Sequence, residues 1–371
     1  MSTDTLPLLH SLIPAALQPF LLLSYPVSSY PAFLSTIKSF QPNGPTTLYD
    51  KGAQDFYFVA FCAVTFTTLR EVVVRWVFRS FAWSWLSWRE RKGERISGRQ
   101  LRLREHTATR FAEQGWSFCY CSVFWTLGMT ILGRIPNATS PEQLWGTYPP
   151  ILLPALTKFY YLAQLGWWFH QIYVIFSEKR RKDHWQMFTH HVLSIILITT
   201  SYVGNFTRVG TLIHVLMDFC DILLPLAKMF RYLSLTTLCD ATFVFFLISW
   251  LVSRQIGLFL VIRTTYLDAP RLLPDVWDPA RGLYHVRATF WMWLGMECLL
   301  FALASVWFYM ACMVAVRVVR GLGAEDSRSD DEEEELDCPL EDVPTMESSS
   351  RQVLSSAAGN GHTNGQVRQR K

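Results

Sequence analysis

Two adjacent histidines, His190 and His191, lie a few residues inside an apolar segment that must cross a membrane. Two carboxylates, Asp218 and Asp221, lie within the next apolar segment. Because ionisable side chains are expensive at that depth, they are rarely retained there without a function. A neutral imidazole can act near neutral pH as a base, a nucleophile or a metal ligand. Each group alone could simply bond a neighbouring helix, but the four together indicate chemistry inside the membrane.

The spacing of these residues restricts that chemistry. Helical neighbours point about 100° apart, so His190 and His191 do not suit chelation of one metal ion as an i, i+4 pair would. We therefore predict no metal site. Asp218 and Asp221 are three residues apart and share one helical face. If the two segments are antiparallel, an aspartate can contact a histidine and orient it as a base or a nucleophile.

Long apolar blocks separated by short charged loops must position these groups. Of the 371 residues, 50% are hydrophobic and 17% are charged, whereas soluble domains carry about 25% charged residues. This pattern predicts an all-α fold: a polytopic integral membrane helical bundle with about seven transmembrane helices, in a range of about six to eight. The predicted spans are Phe56–Phe78, Trp116–Leu132, Leu156–Phe176, Met187–Val203, Val209–Ala227, Ala241–Val261 and Thr289–Val316.

Composition divides the chain into three regions. Residues 1–54 are predicted to form an N-terminal lumenal or interfacial segment, because the first apolar stretch is short and interrupted by proline. Residues 55–320 form the transmembrane catalytic domain. Residues 321–371 are predicted to be a disordered acidic tail in the cytosol.

Basic residues orient the bundle. The segment 83–110 is intensely basic and is predicted to be a cytosolic loop. A second basic cluster falls on the same side and consists of Lys179, Arg180, Arg181 and Lys182. At the mouth of an intramembrane site this cluster could also hold phosphate. Residues 262–287 are predicted to be a longer polar loop on the opposite face.

A longer pattern surrounds the candidate site. It comprises Lys158-Phe-Tyr-Tyr-Leu, Glu178-Lys-Arg-Arg-Lys-Asp-His, Met187, His190-His191, Ser201-Tyr202, Asn205, Arg208, Gly210, Asp218, Asp221, Lys228 and Tyr232. Over about residues 158–232 this pattern resembles the Lag motif of ceramide synthases, within the TLC domain family. Ser194 stands where that family usually has Thr, and Met217 stands where animal and plant members often have His. The second departure makes the chain look fungal.

The resemblance implies a ceramide synthase, which N-acylates a sphingoid base such as sphinganine or phytosphingosine with fatty acyl-CoA to give ceramide and CoA. It implies a multi-pass protein of the endoplasmic reticulum membrane with its C-terminal tail in the cytosol. No cofactor is expected, because acyl-CoA is a substrate. The implied partners are acyl-CoA, the sphingoid base and membrane lipid, and not nucleic acid. The sequence leaves open whether the protein forms a homodimer or a heterodimer or binds a small accessory subunit.

The resemblance also assigns roles to individual residues. Catalysis falls to His190, His191, Asp218 and Asp221. Substrate binding falls to Lys179, Arg180, Arg181, Lys182, Tyr202, Asn205 and Lys228. One histidine would either deprotonate the attacking amine directly or carry the acyl group as an acyl-imidazole, with the aspartates orienting the ring and balancing charge. The sequence does not choose between these two mechanisms.

Two other classes of protein share parts of this pattern. A non-enzymatic TLC-domain protein that binds or translocates lipids would not need the His-His and Asp-x-x-Asp set. A proton-coupled transporter could use the same groups as a relay, but the paired repeats with broken helices that are typical of carriers are not visible in the sequence. Acyl transfer is therefore the favoured function.

Overall fold

The apolar blocks fold into long helices, which confirms the predicted all-α membrane fold. A computed structural model describes residues 12–27, 47–89, 98–178 and 183–320. The predicted disordered tail at 321–371 lies outside the described residues.

Nine helices dominate the secondary structure of the described residues and are named here in chain order. They are α2 (Asp55–Val72), α3 (Arg79–Arg89), α4 (Gly98–Gly133), α6 (Ala155–Ser177), α7 (His184–Val203), α8 (Thr207–Tyr232), α9 (Thr236–Trp250), α10 (Leu258–Leu267) and α12 (Arg287–Val319). π-Helical turns at Val73–Phe78 and Leu251–Gly257 join α2 to α3 and α9 to α10. The shorter elements are α1 (Gln18–Leu21), β1 (Pro26–Val27), β2 (Leu48–Tyr49), α5 (Pro141–Leu144), β3 (Leu153–Pro154), α11 (Ala269–Leu272), β4 (Val276–Asp278), a 3₁₀ turn (Pro279–Arg281) and β5 (Leu283–His285).

Five helical segments of the described chain are long and apolar enough to cross a membrane. They are Asp55–Trp88, Gly98–Gly133, Thr207–Tyr232, Thr236–Leu272 and Arg287–Val319. Two further predicted spans are also helical, as α6 and α7, but they fall outside that set. Both carry polar groups: Lys158, Gln164 and His170 are buried in α6, and α7 contains the paired histidines. The total of about seven crossings stays a prediction.

The basic segment at 83–110 is not the loop that we predicted. Helices α3 and α4 cover most of its described part. Ala108 and Phe111 are three residues apart, are almost fully buried and pack against α3 in one apolar cluster. Arg104 lies on the same helix, and its guanidinium group is 5.2 Å from the Trp83 ring. Charge count alone misses this stripe, because small and apolar side chains are covered between exposed charges such as Arg99 and Arg102.

The segment at 262–287 also contains more regular structure than the predicted loop. Helix α10 continues to Leu267, and β4 and β5 form an antiparallel hairpin in which Trp277 pairs with Tyr284. Gly282 has a φ of 69°, which glycine adopts without steric cost, and it closes the turn before β5. A second antiparallel sheet joins β1, β2 and β3 and so ties the described N-terminal residues to the start of α6.

The helices contact one another in a cyclic order. Helix α4 packs along α8, α8 against α9, α9 and α10 against α12, α12 against α7, α7 against α6, and α6 against α4. Helix α8 also approaches α6 closely at Gly210, where a Cβ atom would lie 2.0 Å from the Tyr161 hydroxyl oxygen. The helices that carry the histidines and the aspartates, α7 and α8, therefore belong to one ring.

Candidate active site

The two histidines lie near one end of α7. They are about 9 Å along the axis from its first residue, His184. The Trp168 ring of α6 contacts both imidazoles, with centroid distances of 5.2 Å to His190 and 5.3 Å to His191. The Trp307 ring of α12 is 5.2 Å from the His190 ring. Aromatic side chains of the two neighbouring helices therefore hold the imidazole pair in place.

Both imidazoles have an unused hydrogen-bonding atom. The Nδ1 atoms of His190 and His191 are buried and have no hydrogen-bond partner among the described residues. A buried unpaired polar atom costs about 1–3 kcal/mol, so a ligand that completed the bond would gain that energy. His191 is the more buried residue and is 6% exposed, whereas His190 is half-buried. The direct hydrogen bond between a histidine and an aspartate that we expected does not occur in this structure.

Asp218 is instead held by a side chain of α6. Gln164 donates a hydrogen bond from Nε2 to Asp218 Oδ2 at 3.0 Å. The amide oxygen of Gln164 in turn accepts a hydrogen bond of 2.6 Å from the Tyr120 hydroxyl of α4. All three residues are buried. This relay fixes one carboxylate oxygen of Asp218 inside the ring, since the glutamine is itself oriented by the tyrosine.

Asp221 is held by a cation from the opposite side. Arg254, in the π-helical turn between α9 and α10, places Nη2 at 2.7 Å from Asp221 Oδ2 and donates to the Met217 carbonyl oxygen at 2.6 Å. The guanidinium group lies 4.2 Å from the centre of the Trp250 ring, a cation–π distance. Arg254 therefore anchors the aspartate face of α8 to the π-helical turn.

Arg254 was not among the predicted site residues. The available signal was a single basic residue in the middle of the predicted span Ala241–Val261. By the same argument that selected the histidines, an arginine at that depth marks a functional or a paired position. Its partner could not be identified from the sequence because Asp221 lies 33 residues earlier.

Tyr202 and Asn205 do not lie beside the histidines. Tyr202 is about 16 Å along α7 from His191. Its hydroxyl donates to Asp55 Oδ2 at 2.8 Å, and the Asn205 amide donates to the Gly282 carbonyl oxygen at 2.8 Å. Both residues therefore join separate segments at the opposite end of the ring. Their assignment to substrate binding stays a prediction that these contacts do not support.

Lys51 and Lys158 complete this second polar cluster. Lys158 is fully buried, lies 2.7 Å from Asp55 Oδ1, and donates to the carbonyl oxygens of Ser24 and Asp50 at 2.8 and 2.6 Å. Lys51 donates to the Tyr202 carbonyl oxygen at 2.7 Å and to the Asn205 side-chain oxygen. Burial is the main cause that lowers the pKa of Lys51, to about 7.

Among the described residues, one further predicted substrate-binding residue lies towards the histidine end of the ring. Lys228 is half-buried near the end of α8, about 10 Å along the axis from Asp221. The connection between α6 and α7 contains Lys179, Arg180, Arg181 and Lys182, which lie outside the described residues. Within the described ranges, no group of three or more His, Cys, Asp and Glu side chains could hold a metal ion.

Comparison with known proteins identifies the family of this chain. The TLC domain model matches residues 110–313. The chain is 36% identical to the Ceramide Synthase FUM18 of Gibberella moniliformis, with 79% of this chain and 71% of that protein aligned. It is 36% identical to Sphingosine N-acyltransferase lag1 of Schizosaccharomyces pombe, covering 86% of this chain and 74% of the relative. Ceramide synthase 5 of Homo sapiens is 32% identical over 70% of this chain and 64% of its own length.

The matched region begins in α4 and ends in α12, so it contains both histidines, both aspartates and Arg254. It covers more than half of the chain, and the relatives extend the similarity beyond it. The protein is therefore a member of the TLC domain family.

Proposed function

We propose that this chain is an acyltransferase that moves a fatty acyl group from acyl-CoA to the amine of a sphingoid base, giving ceramide and CoA. The names of its relatives support this reaction class. The observation that carries the proposal is the pair of imidazoles with unpartnered buried Nδ1 atoms, held between two tryptophans within a ring of helices. Such rings can exchange a proton or an acyl group with a substrate once one is bound.

His190 is the ring that we assign to the reacting position. It contacts the Trp307 ring of α12 as well as the Trp168 ring of α6, so it lies between the two helices. His191 packs against the same tryptophan and supports its neighbour. Asp218 and Asp221, when ionised, offset the positive charge that develops on an imidazole during transfer.

Two sequences of bond changes fit this arrangement. In the first, His190 removes a proton from the attacking amine, nitrogen bonds to the thioester carbon, and the carbon–sulfur bond breaks as the imidazolium returns the proton to the departing sulfur of CoA. In the second, His190 itself bonds to the carbonyl carbon and expels CoA as the thiolate; the amine then attacks the acyl-imidazole, its proton passes to the thiolate, and the histidine is freed. Both sequences consume one acyl-CoA and one amine and need no cofactor.

The position of the site suits its proposed substrates. Both lipid tails partition into the bilayer, whereas CoA is polar and carries phosphate groups. A reacting ring about 9 Å from the end of α7 would lie close to one membrane surface. The basic connection at 179–182 precedes that end and would meet the CoA phosphates. We place this end in the cytosol and the protein in the endoplasmic reticulum membrane.

The decisive experiment uses the full-length protein, purified in lipid nanodiscs and supplied with sphinganine and a panel of acyl-CoAs. Ceramide should form with the wild type and fall at least a hundredfold in His190→Ala. His106→Ala, in a half-buried part of α4 outside the site, serves as the matched control and should retain activity. Folding of each variant is checked by thermal unfolding. Absence of ceramide from folded wild-type protein would refute the proposed function.

The two mechanisms are distinguished by an experiment in which the sphingoid base is left out. Protein incubated with acyl-CoA alone should gain the mass of one acyl group if the acyl-imidazole forms, and His190→Ala should gain none. A wild type that makes ceramide but never carries an acyl group would support direct deprotonation.

A further inference from the structure

A pocket lies inside the ring, at the end away from His190 and His191. It lies between α7, α8, α10 and α12, and its volume of about 640 Å³ includes space that is open to its surroundings. Along α7, its lining residue Ser201 is about 15 Å from His191, and along α12 its lining residue Glu297 is about 15 Å from Trp307. Most of its lining is apolar, including Ile198, Phe206 and Trp293. It can therefore accommodate a hydrocarbon segment that lies about 15 Å from His191 along α7.

Two histidines that line this pocket, His214 and His285, can each accept a hydrogen bond at Nε2. His285 Nδ1 is 3.1 Å from the Pro274 carbonyl oxygen, and His214 Nδ1 is 2.8 Å from the Gly210 carbonyl oxygen. A carbonyl oxygen has no hydrogen to give, so each Nδ1 must carry the proton, and each neutral ring accepts at Nε2. His285 is 5% exposed, and its Nε2 atom is buried without a partner among the described residues.

Glu297 adds a third acceptor to the same pocket. Its side chain is buried, and Oε2 has no hydrogen-bond partner within the described part of the chain. Thr265 lies beside the carboxyl group, but its hydroxyl donates to the Val261 carbonyl oxygen at 3.0 Å. Ser201 likewise donates to the Phe206 carbonyl oxygen at 3.0 Å. The hydroxyl hydrogens of Thr265 and Ser201 are thus already used, while His285 Nε2 and Glu297 Oε2 have no partner among the described residues.

An apolar pocket with surplus acceptors fits a ligand that brings a hydrogen-bond donor on a hydrocarbon chain. We propose that this pocket binds a hydroxyl group on the distal part of the acyl chain, and that Glu297 makes the enzyme prefer hydroxylated acyl chains to unsubstituted ones. The proposal rests on the proposed function. The reacting amine must be at the histidines, so the donor near Glu297 belongs to a remote part of a substrate. A hydroxyl enters this depth at far lower cost than an ammonium group.

The test compares acyl-CoA pairs of equal length, one unsubstituted and one ω-hydroxylated, over a series of chain lengths. For the wild type, the ratio of kcat/KM values should favour the hydroxylated chain at the length that reaches the pocket, by about tenfold for one hydrogen bond of 1.4 kcal/mol. Glu297→Leu should remove this preference, and Glu297→Gln, which keeps an acceptor oxygen, should retain most of it. Cys298→Ala, at an exposed neighbouring position, is the matched control and should leave the ratio unchanged.

The ratio of kcat/KM values for the two acyl-CoAs is insensitive to partial misfolding, because both substrates meet the same folded fraction of the enzyme. A wild type without preference at any length, or a Glu297→Leu variant with an unchanged ratio, would overturn the proposal. Preference for an ω-amino chain over the ω-hydroxylated one would overturn the hydroxyl assignment.

If no acyl-CoA is a substrate, the proposed function fails but the pocket can still be tested. An ω-hydroxy fatty acid should then raise the Tm of the wild type more than the unsubstituted acid does, and not that of Glu297→Leu. Equal shifts in Tm would overturn the pocket assignment independently of catalysis.

Discussion

Arg254 and Asp221 form an ion pair of 2.7 Å that links the π-helical turn to α8. The arginine side chain is 8% exposed and the aspartate side chain is 45% exposed, so the pair lies at the border between the interior of the ring and its surroundings. A second hydrogen bond, to the Met217 carbonyl oxygen, fixes the guanidinium group even without the aspartate. The pair therefore fixes the position of Asp221 on α8 and joins two elements that are distant in sequence.

Substitution of Arg254 should affect both stability and activity. Arg254→Met leaves Asp221 without its cationic partner and the Met217 carbonyl oxygen without its donor, and ceramide formation should fall at least tenfold. The coupling energy is measured in a double-mutant cycle of Arg254→Met and Asp221→Asn. Because Asp221 is nearly half exposed, solvent screens the ion pair, and we expect a coupling energy of about 1–2 kcal/mol. Breaking a fully buried pair would cost about 3–5 kcal/mol. The exposed pair Arg281–Asp278 is the matched control. A coupling energy no larger than that of the control would contradict this prediction.

Gln164→Leu should reduce kcat more than it changes KM. The substitution keeps the size of the side chain but removes the donor to Asp218 and the acceptor for Tyr120. We expect a loss of at least tenfold in kcat and about 1–3 kcal/mol in the free energy of unfolding, because two buried groups lose their partner. Tyr120→Phe leaves the bond to Asp218 in place and should have a smaller effect on kcat. Equal losses for the two variants would show that the relay does not act through Asp218.

Lys158→Met should destabilise the fold without acting on catalysis directly. The ammonium group is fully buried and saturated by Asp55 and two carbonyl oxygens, so its removal leaves a buried carboxylate uncompensated. A loss of about 3–5 kcal/mol in the free energy of unfolding is expected. The double variant Lys158→Met/Asp55→Leu should recover part of this loss. Protein that remains folded should have a KM for acyl-CoA close to the wild-type value, since the cluster lies at the far end of α7.

Lys51 should make stability depend on pH. Its pKa in the folded protein is about 7, below the ordinary value of 10.5, mainly because of burial. Between these two values the unfolded chain binds a proton that the folded protein does not, so stability rises as pH increases. Below pH 7 both states are protonated, and the Lys51 contribution no longer changes with pH.

The measurement is the Tm of the wild type and of Lys51→Met across that pH range. The difference, wild type minus variant, should be constant in acid and should increase above neutral pH. Asp50, Asp55 and Lys158 also act on this group and are unchanged in the comparison. A difference that stays flat up to pH 10.5 would contradict the depressed pKa.

Much of the site could be found without coordinates. The depth of His190, His191, Asp218 and Asp221 follows from the length of each apolar block, because hydropathy and helical rise are local properties. The same argument applies to Arg254, although a lone arginine is less conspicuous than a pair of histidines. Residues at 83–110 were assigned to a loop because charge count hides the apolar stripe through Ala108 and Phe111.

The partners of these residues were decided by tertiary structure. Asp218 meets Gln164 and not a histidine, and Asp221 meets Arg254, because helix rotation and ring order determine which side chains face each other. Tyr202 and Asn205 share a motif with the histidines but lie at the other end of α7, where they join distant segments. The sequence by itself determined which groups enter the membrane and how deep. Only the packing of helices that are distant in sequence decided which of those groups meet.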